Sequence, residues 1–426
     1  MNNLKHDIFQ PEIKVKGISI ENFRGFENIE LAFQPDLTVL IGENGAGKTA
    51  VLDCLASLLR LVEGQINPNT LKKNEKWLDL LDIKEGQFKT SNQLDLLLGH
   101  TEIKCNMAFN NNQFQHDSVS PSIAGIIEKL HHKKTVNLPL LVYYPASNAP
   151  VNRIDFNNAN DLFETNRLSA YKGALDKNAF DFINFFNWYK WQENIERQIG
   201  ENKTLDAVRE AIYKLLSDEH NTFEKLSINW LNNPNGEMMI SKGETPLNIN
   251  QLSSGEKTLL ALVADLARRL AIANPHRQNP LMGYGIVLID EIDLHLHPRW
   301  QRGMIPQLQK TFPNCQLIVT THSPLVLSQI AHKKVIILED FQAVKTPPPT
   351  FGRDNNSILY DLMGVKQRPD EIQQQLDTVY DLIDEGKKGE AQTLLKRLSQ
   401  DLGENDMAIV QAYVSLDFMD IDDETN

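Results

Sequence analysis

The sequence contains little cysteine. Cys54, Cys105 and Cys315 are its three thiols, and no two of them lie close together in the chain. Neither a disulfide framework nor a CxxC zinc site is therefore available, and a reduced, cytoplasmic setting is expected. The chain also lacks a run of about 18 apolar residues, and its polar start at 1–5 lacks the apolar core of a secretion signal. No membrane association is expected.

An excess of basic residues is also missing. The chain has 43 Lys and Arg against 56 Asp and Glu, and its net charge of −13 excludes a generally basic nucleic-acid coat. Hydrophobic residues make up 41% and charged residues 23% of the 426 positions, which is ordinary for a folded chain. At roughly 100–200 residues per domain, two or three domains, or one large domain with insertions, are expected.

Strand and helix patterns alternate along much of the chain. Alternating apolar residues on either side of the turn Phe23-Arg24-Gly25 predict a strand pair at 13–20 and 28–33. Apolar runs separated by helical periodicity predict further strands at 37–41, 138–144, 286–289, 316–319 and 335–338. Strands that alternate with helices are typical of a parallel sheet, so an α/β fold is predicted.

Two stretches interrupt this alternation. Residues 62–137 are polar and poorly periodic, which predicts an insertion, and residues 160–235 are dominated by helical patterns that predict an inserted arm. The arm contains a cluster of aromatic residues, several at helical spacing, at Phe182, Phe185, Phe186, Trp188, Tyr189 and Trp191. Such a stripe is more often core or dimer interface than a surface on which bases stack, and both interpretations stay open. No heptads are sustained, so the arm is expected to be compact.

The sequence GENGAGKT at 42–49 is the strongest chemical motif. It fits the pattern GxxxxGK[ST] and lies between a predicted strand and a predicted helix, as the P-loop of a nucleotide-binding protein requires. Backbone N–H groups at the start of the helix cradle the β-phosphate, Lys48 supplies positive charge and Thr49 offers a hydroxyl to Mg²⁺. The predicted ATP-binding residues of this loop are Gly42, Asn44, Gly45, Ala46, Gly47, Lys48 and Thr49.

A second motif is the apolar strand 286–289, which ends in Asp290 and Glu291. At the tip of such a strand Asp290 can hold Mg²⁺ together with Thr49, while Glu291 can polarise the water that attacks the γ-phosphate. The pattern is common by itself, but downstream of a P-loop it indicates an ATPase with ATP and Mg²⁺ as cofactors.

The pentad LSSGE at 252–256, followed by an amphipathic helix, resembles the signature of ABC-type ATPases. In that family the signature loop of one subunit closes on the γ-phosphate bound to another, which implies a head-to-tail dimer with two ATP, or a larger homo-oligomer. The resemblance gives the signature role to Ser253, Ser254, Gly255 and Glu256. A plain helix cap at Ser253 is the alternative.

The same resemblance extends to His322 in the sequence TTHSP at 320–324. It stands where ABC-type ATPases have their switch histidine, which implies a contact with the γ-phosphate. An ordinary loop or buried histidine is the alternative. The glutamine loop of transport ATPases is not identified, and Asn148 and Arg153 are its only stand-ins.

Three further segments resemble the RecF, structural-maintenance and OLD-like group of DNA-associated ATPases. They are ENFRGF at 21–26, DEIDLHLHP at 290–298 and THSP at 321–324. In that group the Phe-Arg turn lies close to the nucleotide, which makes Arg24 a candidate phosphate or base contact; a surface turn is the alternative. His295 and His297 fall in the D-loop, which in that group lies between subunits. Without a nearby ligand cluster they are interpreted as interface rather than metal ligands.

The C-terminal part resembles the PtuA-type ATPases of Septu antiphage systems and related retron systems. The resemblance rests on FGRDNNSILYDLMGV at 351–365, on Arg368-Pro369 and on the segment at 381–384, and it extends over nearly the whole chain. Such ATPases act beside an HNH nuclease, PtuB, and some act beside a retron reverse transcriptase with its multicopy single-stranded DNA. These partners are implied here. No Toprim-type segment or Cys-rich HNH finger is found in the chain, which agrees with a nuclease in trans.

The predicted architecture is an ABC-type P-loop ATPase core at 1–345, with insertions at about 62–137 and 160–235, and a helical C-terminal interaction region at 346–426. The predicted function is ATP-dependent dimerisation that regulates a partner nuclease. A DNA repair ATPase that binds DNA directly and a nucleotide-gated scaffold with little hydrolysis are the alternatives. Basic runs at 72–76 and 131–134 are the places for any DNA contact, although such runs are usually solvated faces.

Overall fold

The computed structural model divides the chain into two compact units, residues 1–355 and 356–426. It describes residues 12–68, 78–110, 113–116, 128, 130, 136–146, 166–176, 182–231, 233–344 and 348–423. Within these ranges no helix is long and apolar enough to cross a membrane. The basic runs at 72–76 and 131–134, and the positions Asn148 and Arg153, lie outside the described residues.

Regular elements fill most of the described chain. The strands, in chain order, are β1 (Ile13–Phe23), β2 (Phe26–Ala32), β3 (Leu37–Gly42), β4 (Lys89–Leu98), β5 (Thr101–Asn110), β6 (Gln113–His116), β7 (Leu140–Tyr144), β8 (Phe223–Asn229), β9 (Glu237–Lys242), β10 (Thr245–Asn248), β11 (Gly285–Ile289), β12 (Cys315–Thr320), β13 (Val335–Glu339) and β14 (Gln342–Ala343). The α-helices are α1 (Lys48–Ile66), α2 (Phe182–Ile199), α3 (Lys203–Leu216), α4 (Ser254–Ala273), α5 (Pro298–Thr311), α6 (Pro324–Leu327), α7 (Asn355–Met363), α8 (Asp370–Asp384), α9 (Lys388–Leu402) and α10 (Met407–Asp423).

A six-stranded sheet carries the predicted chemical motifs. Its order is β14-β13-β3-β12-β11-β7, and all neighbouring pairs are parallel except the β13–β14 pair. Strands β7, β11 and β12 are buried at every position, as expected for parallel strands covered on both faces. Because parallel strands end at the same edge, the loops after β3, β11 and β12 meet there. The predicted α/β fold is confirmed.

A five-stranded antiparallel sheet has the order β2-β1-β4-β5-β6. The predicted strand pair forms with Ile18 opposite Leu31, and Arg24 lies in the turn with a φ of 50°. The expectation of a poorly periodic stretch is wrong for residues 89–110, where β4 and β5 each pair along their whole length. Every second side chain of these strands is buried, and polar residues on the other face masked this alternation.

The aromatic stripe of the arm is core. Phe185, Phe186, Trp188 and Tyr189 are buried, whereas Trp191 is 39% exposed. Phe185 packs its ring against Trp188 and Tyr189 with centroid separations of 6.2 and 5.7 Å. The described contacts of these buried rings therefore support the core interpretation over base stacking. The helical pattern of the arm ends at β8, which joins a small sheet of order β10-β9-β8.

Within the predicted helical region at 346–426, the described residues 356–423 form helices joined by short turns. Helices α8, α9 and α10 enclose their own apolar core, which consists of Leu376, Val379, Ala391, Leu395, Leu398, Ile409, Ala412 and Leu416. Arg368 and Asp406 form an ion pair with a nitrogen–oxygen distance of 2.7 Å within this unit.

Candidate nucleotide site

The loop between β3 and α1 has the shape that the motif predicts. The Lys48 ammonium donates to the carbonyl oxygens of Gly42 and Glu43, both at 2.9 Å. Burial lowers the pKa of Lys48, and the nearby Asp290 and Glu291 oppose this shift without cancelling it. The structure thus holds the positive charge of Lys48 inside the loop, beside the two acids that end β11.

Gly47 is required where α1 begins. Its φ is 101°, in the left-handed region, and a Cβ there would lie 2.4 Å from the ring of Phe26. A larger residue would both strain the backbone and collide with this ring. Gly47 thus permits the turn that starts α1, and the amide groups of a first helical turn, which have no partner within the helix, are the groups that bind phosphate at helix N-termini.

Asp290 connects the P-loop helix to the sheet edge. Its Oδ2 accepts a hydrogen bond from the Thr49 hydroxyl at 2.8 Å, and its Oδ1 accepts one from the Thr320 hydroxyl at 2.6 Å. Thr49 and Asp290 thus present two hard oxygen donors at one point beside the loop. This donor set fits Mg²⁺, which prefers carboxylate and hydroxyl oxygens and usually keeps several waters.

Glu291, the residue after Asp290, has a positive φ, which is unusual for a residue with a side chain. Its φ is 49°, and its N–H donates to the Thr320 hydroxyl at 2.7 Å. The side chain is partly exposed at the sheet edge. The predicted acid pair is therefore brought together with Lys48 and Thr49, and Glu291 lies on the same edge as the P-loop.

His322 lies in the loop after β12. Its N–H donates to Asp293 Oδ1 at 3.3 Å, and the Thr321 hydroxyl donates to the same oxygen at 2.5 Å. The switch-histidine loop is thereby bonded to the segment that follows Glu291. Its imidazole is partly exposed, and its role at the γ-phosphate stays a prediction.

The signature residues form the start of α4. Ser253 caps this helix: its hydroxyl accepts from the Glu256 N–H at 3.3 Å, and the Glu256 carboxylate accepts from the Ser253 N–H at 2.7 Å. Glu256 also pairs with Lys242 at 2.8 Å. Within this chain, Ser253 therefore makes the contacts of an ordinary helix cap, which was the alternative to a signature role. Ser254 is exposed. Among the described residues, no hydrogen bond or ion pair joins 253–256 to the loop 42–49.

Gly255 packs against the D-loop segment. A Cβ at this position would lie 2.5 Å from the carbonyl oxygen of His295, whose own φ is 63°. His297 caps α5 by accepting from the Arg299 N–H at 3.3 Å. Across the part of the chain that the structure describes, no group of three His, Cys, Asp or Glu side chains is placed to hold a metal.

Arg24 is held by two carboxylates. Its guanidinium lies 2.8 Å from Asp53 and 2.9 Å from Asp82, and Asp53 also accepts from the Tyr143 hydroxyl at 2.8 Å. Burial opposes the charge, but the two carboxylates raise the pKa of Arg24 above its usual value. Asp53 lies on α1 about one turn after Thr49, so Arg24 is anchored near the P-loop. A direct contact with nucleotide stays a prediction.

Several residues of this site were missed by the sequence patterns. Thr320 forms hydrogen bonds with both Asp290 and Glu291. Asp293 accepts hydrogen bonds from the loop that contains His322. The Gln301 amide donates to the carbonyl oxygen of Leu296 at 3.0 Å and accepts from the Ser323 hydroxyl at 2.8 Å. For Thr320, the double threonine of the sequence TTHSP at 320–324 is the one local signal. Asp53 and Asp82 carry no motif, because their role depends on Arg24, which is remote in sequence.

Comparison with known proteins agrees with this geometry. Residues 37–328 match the family AAA_21, described as "AAA domain, putative AbiEii toxin, Type IV TA system". The chain is 30% identical to the "Retron Ec83 probable ATPase" of Escherichia coli, across 95% of this chain and 87% of that protein. It is 24% identical to the Septu protein PtuA of Bacillus thuringiensis, across 95% of this chain and 93% of that protein.

Among solved structures, an SMC head bound to the C-winged helix domain of ScpA covers 78% of this chain and 97% of its own, with a TM-score of 0.45 and 15% identity. The predicted resemblance to retron and PtuA-type ATPases is confirmed by the sequence matches. The chain belongs to the AAA_21 family of P-loop ATPases and is related to the retron Ec83 probable ATPase.

Proposed function

We propose that this chain is an ATP-hydrolysing switch of a retron- or Septu-type antiphage system and that it controls a partner HNH nuclease. The main observation behind the proposal is that Lys48, Thr49, Asp290 and Glu291 lie together at one edge of the sheet. The sequence relatives support the defence context, because the matched proteins are named as retron and Septu components.

The chain's own residues divide the work of hydrolysis. Lys48 and the amides of residues 44–49 bind and orient the phosphates, with Arg24 as an additional contact. Glu291 polarises the water that attacks the γ-phosphate, and His322 contacts that phosphate. Mg²⁺, held by Thr49 and Asp290, supplies charge neutralisation when it is bound.

Glu291→Gln and Lys48→Ala test this division. Glu291→Gln removes the group that polarises water but keeps the side-chain shape, so we expect turnover to fall by about 100-fold or more with ATP affinity retained. Lys48→Ala removes the buried cation and is expected to abolish ATP binding. Full ATP affinity in Lys48→Ala would exclude the P-loop assignment. If Glu291→Gln loses turnover but keeps both its nucleotide affinity and the protection against phage, a scaffold that only binds nucleotide would be favoured.

The proposed dimer places the signature residues 253–256 of one subunit on the nucleotide of another. Within one chain no described hydrogen bond or ion pair connects these residues to the P-loop, and Ser254 stands exposed at the start of α4. A helix N-terminus suits an anion supplied from outside the chain. Closure on ATP and reopening after hydrolysis would then alter the hold on the nuclease.

Mixing two inactive variants tests the shared site. Lys48→Ala lacks a working P-loop, and Ser254→Arg blocks the signature while its exposed position leaves the fold intact. In a head-to-tail dimer, a mixed pair contains one site with both parts wild type, so we expect ATPase activity to return on mixing, towards about a quarter of wild type for random pairing. Each variant alone stays inactive. No recovery on mixing would contradict the shared site.

The helical region at 346–426 is the proposed docking region for the nuclease. Residues 356–426 hold 6 Lys and Arg against 16 Asp and Glu, so they carry −10 of the total −13. On α10, Met407 is 75% exposed, and Val410, Tyr413 and Val414 are 37–48% exposed. An exposed apolar stripe in an acidic unit fits a basic partner surface with apolar anchors.

A charge placed on the stripe tests the docking region. We expect Val414→Asp to weaken copurification of a coexpressed HNH partner by about 10-fold or more, since it places a charge in the apolar contact. Gln411→Asp adds the same charge to the same helix at an exposed polar position and is the matched control. Equal losses from both variants would indicate a general charge effect, and no loss from Val414→Asp would exclude the stripe.

A further inference from the structure

Thr320 occupies a special place at the sheet edge. It is the last residue of β12, which lies between β3 and β11, and its side chain is fully buried. Its hydroxyl donates to Asp290 Oδ1 at 2.6 Å and accepts from the Glu291 N–H at 2.7 Å. One hydroxyl therefore bonds the side chain of the first acid and the backbone of the second.

The first bond sets the direction of the Asp290 carboxylate. With Oδ1 bound to Thr320, Oδ2 points to Thr49 at 2.8 Å, so both oxygens have fixed partners. A buried carboxylate with only one hydrogen bond can turn about its last bond. The Thr320 hydroxyl removes this freedom and aims one oxygen at the Thr49 hydroxyl.

The second bond maintains the Glu291 backbone. A φ of 49° is disfavoured for a residue with a side chain and persists only where the surroundings enforce it. The Glu291 N–H bonds the Thr320 hydroxyl, and the next N–H, of Ile292, bonds the Thr320 carbonyl at 3.0 Å. Without the hydroxyl, Glu291 can relax towards negative φ, which changes the direction in which its carboxylate leaves the chain.

We infer that Thr320 is a positioning residue for hydrolysis, which acts through Asp290 and Glu291 and does not itself touch nucleotide. This inference rests on the proposed ATPase function. Its basis is the pair of hydrogen bonds made by one buried hydroxyl. Thr320 therefore controls the step that needs both acids, whereas its hydroxyl makes no described hydrogen bond to the residues 42–49 that cradle the phosphates.

The variants separate the hydroxyl from the volume of the side chain. Thr320→Val keeps the volume and loses the hydroxyl, whereas Thr320→Ser keeps the hydroxyl. Thr38→Val is the matched control, because Thr38 is also buried in this sheet and its hydroxyl accepts from the Gln34 N–H at 2.9 Å. We expect kcat to fall by about 30-fold in Thr320→Val, with KM for ATP within about threefold and near wild-type rates in the other two.

A double variant tests the route through Glu291. If Thr320 affects turnover mainly through Glu291, Thr320→Val should reduce the residual turnover of Glu291→Gln by less than about threefold, because the Glu291 carboxylate has already been removed. A full additional 30-fold loss in the double variant would overturn this route.

A binding measurement gives a readout that does not depend on turnover. We expect Thr320→Val to raise, by about fivefold, the Mg²⁺ concentration that half-saturates binding of a fluorescent non-hydrolysable ATP analogue, because Asp290 is no longer aimed. Thr38→Val should leave this concentration unchanged. If Thr320→Val does not fold, as judged by circular dichroism, Thr320→Ala loses the same hydroxyl with less crowding and carries the same expectations.

The two proposals fail in different ways. A wild-type chain that does not hydrolyse ATP would exclude the proposed function, and the Mg²⁺ titration would still decide whether Thr320 orients Asp290. An active wild type with unchanged kcat and unchanged Mg²⁺ dependence in Thr320→Val would overturn the role of Thr320 and leave the proposed function standing.

Discussion

At the scale of single residues, strained backbone is concentrated near the sheet edge that carries the P-loop. Glu291 has a φ of 49° and His295 a φ of 63°, and both lie in the loop after β11. Each such residue costs on the order of 1–3 kcal/mol, which the surrounding contacts must offset. The strain at Glu291, beside the P-loop, indicates that function requires a particular direction of this side chain at the expense of local stability.

Replacing Glu291 by glycine should separate stability from activity. Glycine adopts positive φ without strain, so we expect Glu291→Gly to raise the free energy of unfolding by about 1 kcal/mol relative to Glu291→Gln, which keeps the strain. Both variants lack the carboxylate and should hydrolyse ATP about 100-fold or more slowly than wild type. Urea denaturation measures the difference. A less stable glycine variant would contradict the strain argument.

Arg24 and Asp82 allow a second comparison between single residues. Arg24→Ala removes the predicted nucleotide contact and both ion pairs, whereas Asp82→Asn removes only one carboxylate partner at 2.9 Å. We expect Arg24→Ala to raise the KM for ATP by about 10-fold and Asp82→Asn by less than about threefold. Equal effects on KM would mean that Arg24 acts only through the carboxylates.

At the scale of elements, α4 is tied to the segment 166–176 by a buried charge network. Asp265 pairs with Arg268 at 2.6 Å and with Arg269 at 2.7 Å, and it accepts from the Tyr144 hydroxyl at 3.0 Å. Arg269 also donates to the carbonyl oxygen of Ala170 at 2.7 Å. The helix that begins with the signature residues is thereby linked to β7 and to the chain that follows it.

Removing the charge of Asp265 should destabilise the first compact unit strongly. Asp265→Asn leaves two buried guanidiniums without their anion, so we expect a loss of about 3–5 kcal/mol in the free energy of unfolding. The exposed pair of Lys366 and Asp370 offers a control, since Asp370→Asn should cost less than about 1 kcal/mol. Chemical denaturation of both variants checks the contrast.

The same network predicts how stability depends on pH. Burial opposes the charge of Asp265, but Arg269 and Arg268 lower its pKa below the usual 3.8. A lowered pKa in the folded state contributes stability above pH 3.8, and this contribution is lost as the pH falls through the folded value. We expect wild type to lose stability more steeply than Asp265→Asn below about pH 4. Parallel curves would contradict this assignment.

The elements also differ in how far the sequence predicts them. The loop 42–49 was predicted with its flanking strand and helix, because its glycines, its lysine and the adjacent apolar run are all local. Strands β4 and β5 were missed, since β4 pairs with β1, which lies about 70 positions or more earlier in the chain, and β5 joins the sheet through β4. Thr320 was missed for the same reason: its hydroxyl bonds residues 30 and 29 positions away.

At the scale of the whole molecule, the charge is unevenly divided. Residues 356–426 carry −10, and residues 1–355 carry the remaining −3. The ATPase unit is therefore close to neutral, and the strongly acidic unit is the helical one. This division favours protein partners for the C-terminal helices over direct contact with DNA.

Direct binding of DNA by the isolated chain is expected to be weak. Because the 43 Lys and Arg are outnumbered by 56 Asp and Glu, we expect a Kd above about 10 µM for a random duplex of about 30 base pairs at roughly 150 mM salt, with a shallow dependence on salt. Fluorescence polarisation between about 50 and 200 mM salt measures both. Nanomolar binding with a steep salt slope would support a repair ATPase that recognises DNA itself.

The sequence alone determined the P-loop, the acid pair after β11, the parallel α/β class and the helical C-terminal region. Each of these depends on residues adjacent in the chain, where glycine conformation, hydrophobic periodicity and charge act locally. Only the tertiary structure decided that Thr320 joins both acids, that Asp53 and Asp82 hold Arg24, and that Ser253 caps α4 while Gly255 meets His295. The contacts of Thr320 arise where parallel strands end at a common edge, and those of Arg24 and Gly255 also join segments that are far apart in sequence. The Ser253 cap is a local contact, but the sequence left it open beside the signature role, and only the folded backbone decided it.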